Sequence, residues 1–424
     1  MNRIILIGNG FDLAHGMETS YSAFLNDFWR QTILEIQKTK QNEKFENENI
    51  IVNKVPEKWT ANINYTSLKQ NLKFHNSQLT FKNRFLEIIT DKTYLQNWVD
   101  IEDEYYSLLK KSINTTEDLN PYHIKELNVD FERIKKALEE YLLKTEKEFD
   151  KNFNDPRIKS NIGHKIYSHL KLKDFTEKSI NQKVEIEFNK ISKDIKGLKE
   201  DVVSIDELNE DNKRLITRLN IDKTETEIKH QLKMLLISDS AVNYFELVPE
   251  QTLFLNFNYT FNDLLYKNQN EFDNFGFDKK TKTKFIHIHG SLIKSDKNPI
   301  IFGFGDEIDE NYHSIEKLND NRYLENIKSI KYLETDNYKK LLEFLNGGNY
   351  QIFVLGHSCG VSDRTLLNTL FEHENCASIK PYYHKKSDEE DNYSDIVRNI
   401  SRNFNNKVEM RNRVVNKEYC DPLL

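Results

Sequence analysis

The residues best suited to chemistry stand just past short apolar runs. His287 and His289 occupy i and i+2 of one strand-like run, Lys284 to His289, which would turn both rings to one face. His289, followed by Gly290, would then sit at a strand end, where an imidazole titrating near neutral pH can act as acid or base. The pair could instead hold a metal with Asp306 or His357, or His287 could be a satisfied core histidine and His289 a turn residue. A metal site should bring a third ligand at close spacing, and none stands out, so no metal is expected. Asn258 closes another run, Thr252 to Phe257. Its amide both donates and accepts, so it can fix a ribose hydroxyl or an attacking water. It would serve equally well as a turn or N-cap residue. The run Gln351 to Leu355 leads into Gly356-His357-Ser358-Cys359-Gly360-Val361-Ser362-Asp363. There Ser362 or Asp363 would cap the next helix, or the free amides of that helix would hold an anion.

The N-terminus carries a related signal. Ile4 to Ile7 is an unbroken aliphatic run, which suits a strand buried on both faces. Gly8-Asn9-Gly10 follows at once, and glycines there permit a tight turn that a ligand's phosphate can approach. Many nucleotide-binding doubly wound folds begin with such a strand and Gly-x-Gly turn. The third glycine of the dinucleotide fingerprint is absent, because position 13 is Leu13.

Glycine placement shows how these elements are organised. Of 13 glycines, three fall in residues 8–16 and eight in residues 276–360, with only Gly163 and Gly197 between. Helices exclude glycine, whereas strand-to-helix turns around a ligand need it. The two ends therefore read as one α/β unit, residues 1–20 and 246–424. Its expected form is a Rossmann-like, doubly wound, mainly parallel sheet. Residues 21–245 read as a large, mainly helical insertion. Phe131, Ile134, Leu138, Tyr141, Leu142 and Phe149 recur at helical spacing, as do Ile228, Leu232, Leu235 and Leu236. Lys38 to Asn53 reads as a loop or a solvated helix, and Lys183 to Glu210 as helical despite a strand-like start. Pro299 to Phe304 and Ile379 to Tyr383 read as further strands, and Asp395 to Phe404 as a closing helix. Trp98, Asp100, Glu102 and Glu104 form an aromatic and acidic cluster in which Glu102 would face the site or lie on a solvated helix face.

Composition narrows the class. With 30% charged residues, 38% hydrophobic residues and a net charge of −7, the chain reads as soluble and gives no broad electrostatic signal for nucleic acid. No segment approaches the roughly 18 apolar residues of a membrane span. Cys359, Cys376 and Cys420 form no Cys-x-x-Cys pair, which argues against a disulfide framework or zinc ribbon. A cytoplasmic location is expected.

Ile-Gly-Asn-Gly-Phe-Asp-Leu-Ala-His-Gly with Thr19-Ser20-Tyr21, then Trp-Val-Asp-Ile-Glu, Asn-Phe-Asn-Tyr-Thr, His-Ile-His-Gly-Ser and Leu-Gly-His-Ser form an ordered set across nearly the whole chain. That set closely resembles the bacteriophage abortive infection AbiH family. More remotely it is similar to the sirtuin-like NAD-hydrolysing domains of phage defence. Those domains carry a glycine-rich first turn, an Asn-Tyr-Asp after a strand, a His before Gly, and a Gly-x-Ser followed by Asp. The resemblance implies an abortive-infection effector whose substrate is NAD or a related nucleotide. Carried over by position, Asn258 and His289 would be catalytic. Gly8, Asn9, Gly10 and Asp12 would line the nucleotide with Gly290, while Gly356, Ser358 and Asp363 would hold the far ribose or phosphates. Thr260 stands where those domains often have Asp. The rival implications are a nucleotide-binding sensor without turnover, or a nuclease, which would ordinarily need a divalent metal cluster. Further candidate partners are a phage-encoded trigger protein and a second copy of the chain.

Overall fold

A computed structural model describes residues 1–57, 64–96, 100–113, 122–272, 281–293 and 297–424. Among them, eight strands form two sheets. They are β1 (Asn2–Ile7), β2 (Phe45–Glu46), β3 (Ile50–Val52), β4 (Leu79–Phe81), β5 (Gln251–Asn256), β6 (Lys282–His287), β7 (Tyr350–Leu355) and β8 (Cys376–Tyr382). The larger sheet has the order β6-β5-β1-β7-β8 and every pair in it is parallel. Its strands come from both ends of the chain, as expected of a Rossmann-like, doubly wound fold. From β1 the chain steps outward through β5 to β6, then returns to β7 on the other side of β1. The topological switch therefore lies between β1 and β7, where sheets of this kind open a ligand crevice at their C-terminal edge.

The aliphatic runs follow from burial on both faces. Ile4 and Leu6 pack with Leu253, Leu255, Ile352 and Val354 on one side. Ile5 and Ile7 pack with Phe254, Phe353 and Leu355 on the other. No position of β1 faces water, so its sequence shows no alternation.

The mainly helical insertion divides into two lobes. Helices Tyr21–Lys38, Arg84–Gln96, Ile101–Ile113 and Ile124–Asn152 bury one core around Trp29, Tyr105, Tyr106 and Phe131. Helices Glu177–Lys199, Glu210–Arg218 and Glu225–Leu236 bury another, which reaches Ala377 of β8. The second lobe sits at the N-terminal edge of the sheet: the Thr176 amide donates to the Ala377 carbonyl, and buried Asp174 and Lys380 pair at 2.8 Å. The first lobe meets the opposite edge, where Leu292, Phe302 and Phe304 from the segment after β6 enter its core.

Four local expectations need correction. Pro299 to Phe304 is not a strand; its backbone makes one isolated bridge, Phe304 to Ile327. Its aromatic side chains leave the sheet for the insertion, and Gly303 adopts φ +153° where a Cβ would lie 2.0 Å from the Asn326 carbonyl. Lys38 to Asn53 holds β2 and β3, which pair antiparallel and continue into β4. The helix Tyr393–Arg402 does not close the chain, because Lys407–Arg413 follows as another. Finally, β6 ends at His287, so His289 lies in the turn beyond and the two rings meet different partners. Lys183 to Glu210, by contrast, begins helical as read. Val184, Phe188, Ile191 and Ile195 share its buried face, while Ile186 is exposed.

Candidate active site

The start of the short helix Asn9–Ala14, which follows β1 through Gly8, meets the loop after β7 directly at the switch point. The Gly8 amide donates to Leu355 and the Gly10 amide to Gly356, at 3.3 and 2.8 Å. A Cβ on Gly8 would lie 2.6 Å from His357 Cα, and one on Gly10 would lie 2.8 Å from the Gly356 carbonyl. Gly356 adopts φ +71°, and a Cβ there would lie 2.0 Å from the Phe11 nitrogen. These glycines therefore serve the contact between the two segments. The Gly8 and Gly10 amides are engaged by protein rather than left for a phosphate.

Beside this contact opens a cavity of about 650 Å³. Gly8, Asn9, Gly10, Asp12, Asn258, His289, Gly356, Ser358 and Asp363 all line it. Gly290 does not; at φ +85° it turns against Pro299, 2.0 Å from where a Cβ would stand. The first insertion lobe supplies the facing wall with Tyr21, Asp100, Glu102, Leu138 and Leu142. Trp98 of the acidic cluster lies outside the described residues.

Asn258 is held by the turn that contains it. The Asn256 side chain accepts from the Asn258 amide at 2.8 Å and donates to the Thr260 carbonyl at 3.1 Å. The Asn258 carboxamide then donates to the Gly8 carbonyl at 3.1 Å, tying the loop after β5 to the loop after β1. Thr260 donates to Asp12 at 2.6 Å. Burial pushes the Asp12 carboxyl up to about 7, with the hydrogen bonds from Thr260, Asn262 and Asn258 pulling the other way.

His289 sits in a dense polar cluster. Its Nε2 lies 3.2 Å from Asp363 Oδ1 and 3.2 Å from the Tyr332 hydroxyl. Lys328, wholly buried, reaches Asp363 Oδ1 at 2.8 Å and Glu102 Oε2 at 2.9 Å. Glu102 also accepts from the Gly303 amide at 3.1 Å. It starts the helix Ile101–Ile113, which Asp100 caps by accepting from the Glu102 and Asp103 amides. His357 Nδ1 accepts from the Cys359 amide at 2.9 Å, so its proton belongs on Nε2, 3.7 Å from Asp363 Oδ2. The Phe257 ring meets His289 and His357 edge-on at 4.9 and 4.4 Å.

The electrostatics follow from that packing. Burial pulls the His289 imidazole below 6.5; Lys328 adds to this, and Asp363 and the Phe257 carbonyl oppose it. Burial also takes His357 down to about 4. Burial alone would raise Asp363, yet Lys328 and the two imidazoles hold it well below the usual carboxylate range. Burial pushes the Glu102 carboxyl up, with help from Asp363 and Asp100, and the Lys328 ammonium pulls it back down. The cluster thus joins one buried ammonium, shared by Asp363 and Glu102, to an imidazole that burial keeps from gaining a proton easily. Among the described residues, no group of three or more His, Cys, Asp or Glu is arranged to hold a metal ion.

Comparison with known proteins adds one decisive finding. A family model described as bacteriophage abortive infection AbiH matches residues 4–384. The chain belongs to the bacteriophage abortive infection AbiH family. That membership supports a role in abortive infection by phage. No curated protein and no solved structure matches the chain. In this AbiH member the matched span takes in the candidate site residues from Gly8 to Asp363, while Asn392, Ile396, Leu423 and Leu424 of the cavity lining lie beyond it. No described helix is long and apolar enough to cross a membrane.

Sequence reasoning missed three contributors. Lys328 and Tyr332 carry no local signature, and Asn256 opens the Asn-Phe-Asn-Tyr-Thr motif without a role being read for it, whereas Glu102 and His357 are visible as candidates beside acidic or glycine-rich turns. Asp363, expected at a ribose or phosphate, is engaged by Lys328 and His289.

Proposed function

We propose that this AbiH protein is an abortive-infection effector that hydrolyses NAD or a related nucleotide at the N-glycosidic bond. The observation that carries the reading is that Asn258 and His289 open onto one cavity at the topological switch of a parallel sheet. In that cavity water would attack the anomeric carbon as the bond to nicotinamide breaks. The bonding pair leaves with the nicotinamide, which becomes neutral, and the proton of the water passes to the His289 imidazole. Asp363 stabilises the resulting imidazolium. The Asn258 carboxamide, fixed through Gly8, positions a ribose hydroxyl or the water; such positioning supplies much of the barrier reduction. Nicotinamide is a good leaving group, so no strong general acid is required.

The test is direct. Purified protein incubated with NAD should release free nicotinamide, and Asn258→Ala should abolish that release. One observation favours the sensor as a second reading: His289 is only 4% exposed. Calorimetry distinguishes the two, because a sensor would bind NAD or ADP-ribose without releasing nicotinamide. A phage-encoded trigger protein and a second copy of the chain are proposed as partners, to be sought by co-purification during infection.

A further inference from the structure

Lys328 has no exposed surface, so it cannot touch a ligand in the cavity, yet it occupies the centre of the charged cluster. It stands at the start of the short helix Lys328–Lys331, and its amide donates to the Phe304 carbonyl at 2.9 Å. A Cβ on Gly305 would lie 3.1 Å from Lys328 Cβ, so the stem of the side chain is closely walled. Its ammonium joins two elements remote from each other: Glu102 on the first insertion lobe and Asp363 at the end of the loop after β7. Asp363 in turn meets His289. Isolated buried carboxylates are costly, so Glu102 and Asp363 can face each other only with a cation between them.

We propose that Lys328 is the positioning residue of this site: by clamping Glu102 to Asp363 it fixes Asp363 under His289 and makes the helical insertion a structural part of the site. The inference rests on the hydrolase reading for its catalytic meaning, though not for its geometry. Charge balance explains why a lysine is needed. An Asp beside a histidine ordinarily draws a proton onto the ring; here Lys328 already answers the Asp363 charge, so the ring stays free to accept one. The groups facing His289 are Asp363, Lys328, Tyr332, Tyr259 and His357, together with the Phe257 carbonyl. Lys328 is the cation among them that is always charged near neutrality. Glu102 supplies the matching response from the insertion: moving that carboxylate changes how much of the Lys328 charge is left for Asp363.

The experiment uses the full chain with ¹³C-labelled histidine, the His289 resonance being assigned by its loss in His289→Gln. In Lys328→Met, His289 should titrate at higher pH than in the unmodified protein, because Asp363 is left with the imidazolium as its partner. In Glu102→Gln it should titrate at lower pH, because Lys328 is then left to Asp363 alone. Turnover should follow, with kcat about 10²-fold lower in Lys328→Met and its acid limb moved to higher pH. If Lys328→Met does not fold, Glu102→Gln carries the test by itself. A His289 titration unmoved in a folded Lys328→Met protein, or in Glu102→Gln, would overturn the clamp. Both shifts present without any nicotinamide release would sink the hydrolase reading and leave the clamp standing.

Discussion

Two buried histidine–carboxylate pairs begin two residues apart in this chain, and they have different surroundings. His287 Nε2 lies 3.1 Å from Asp263 Oδ2, and His289 Nε2 lies 3.2 Å from Asp363 Oδ1. The first pair is packed away from the cavity: the His287 ring lies against Phe261 at 4.6 Å, and its carbonyl accepts from Asn298 and Asn337. Asp263 Oδ1 and His287 Nδ1 find no hydrogen-bond partner among the described residues, and no lysine or arginine there pairs with Asp263. The second pair opens onto the cavity and has Lys328 beside it. A histidine near a strand end with a carboxylate in reach is therefore common ground. A place on the cavity wall and a third, compensating charge are what distinguish the His289 pair from the His287 pair.

Alanine substitution tests that division most severely. His289→Ala should lower nicotinamide release by about 10²–10⁴-fold, the usual effect of removing a positioned base. It should cost little stability, because Asp363 keeps Lys328. His287→Ala should behave in the opposite way. It leaves Asp263 buried without its partner, a loss of about 3–5 kcal/mol, while each folded molecule still turns over. Thermal melts and nicotinamide release on both variants check this. Turnover lost in His287→Ala at an unchanged Tm would erase the distinction.

The same contrast shows what the sequence reveals. The sheet is legible because β1, β5 and β7 are buried on both faces and each leads into a special turn. His289 and Asn258 are legible for the same reason: they stand where parallel topology collects strand ends. Gly8 and Gly10 are legible as special but not in purpose, since a phosphate and a neighbouring loop both demand the absence of a Cβ. Lys328 is not legible at all. It sits in a Lys- and Asn-rich stretch where nothing local distinguishes it from Lys331, and its partners lie 226 and 35 residues away. Pro299 to Phe304 misleads because an apolar run flanked by Pro and Gly serves a strand or a crossing into another core equally well. Only the insertion's demand for Phe302 and Phe304 decides which.

A second test uses acid. His357 is buried with a pKa of about 4, below its unfolded value of about 6.5. As pH falls through 6.5 the unfolded chain takes up this proton first and the folded chain does not. Stability that is present above 6.5 is therefore lost on the way down to about 4, amounting to about 3 kcal/mol for this residue. His357→Gln should flatten that part of the Tm-against-pH curve. Should the slope between pH 6.5 and 4 survive unchanged in the variant, the reading of His357 as a buried neutral imidazole beside Asp363 would be wrong.

The gentlest test concerns Tyr332, whose hydroxyl shares His289 Nε2 with Asp363. Tyr332 is buried, and its ring lies parallel to the imidazole at 6.1 Å, so Tyr332→Phe keeps the packing and removes a single hydrogen bond. Nε2 keeps Asp363 as its acceptor whenever it carries a proton. The expected cost is that of one neutral hydrogen bond, about 1 kcal/mol, or roughly fivefold in kcat with Tm nearly unchanged. Phe261→Leu makes the matching change at the other pair, thinning the ring that packs on His287, and should leave turnover where it was. If Tyr332→Phe instead lost as much activity as His289→Ala, the Tyr332 hydroxyl would itself be handling the proton. The division between the two pairs would then rest on the tyrosine rather than on Lys328.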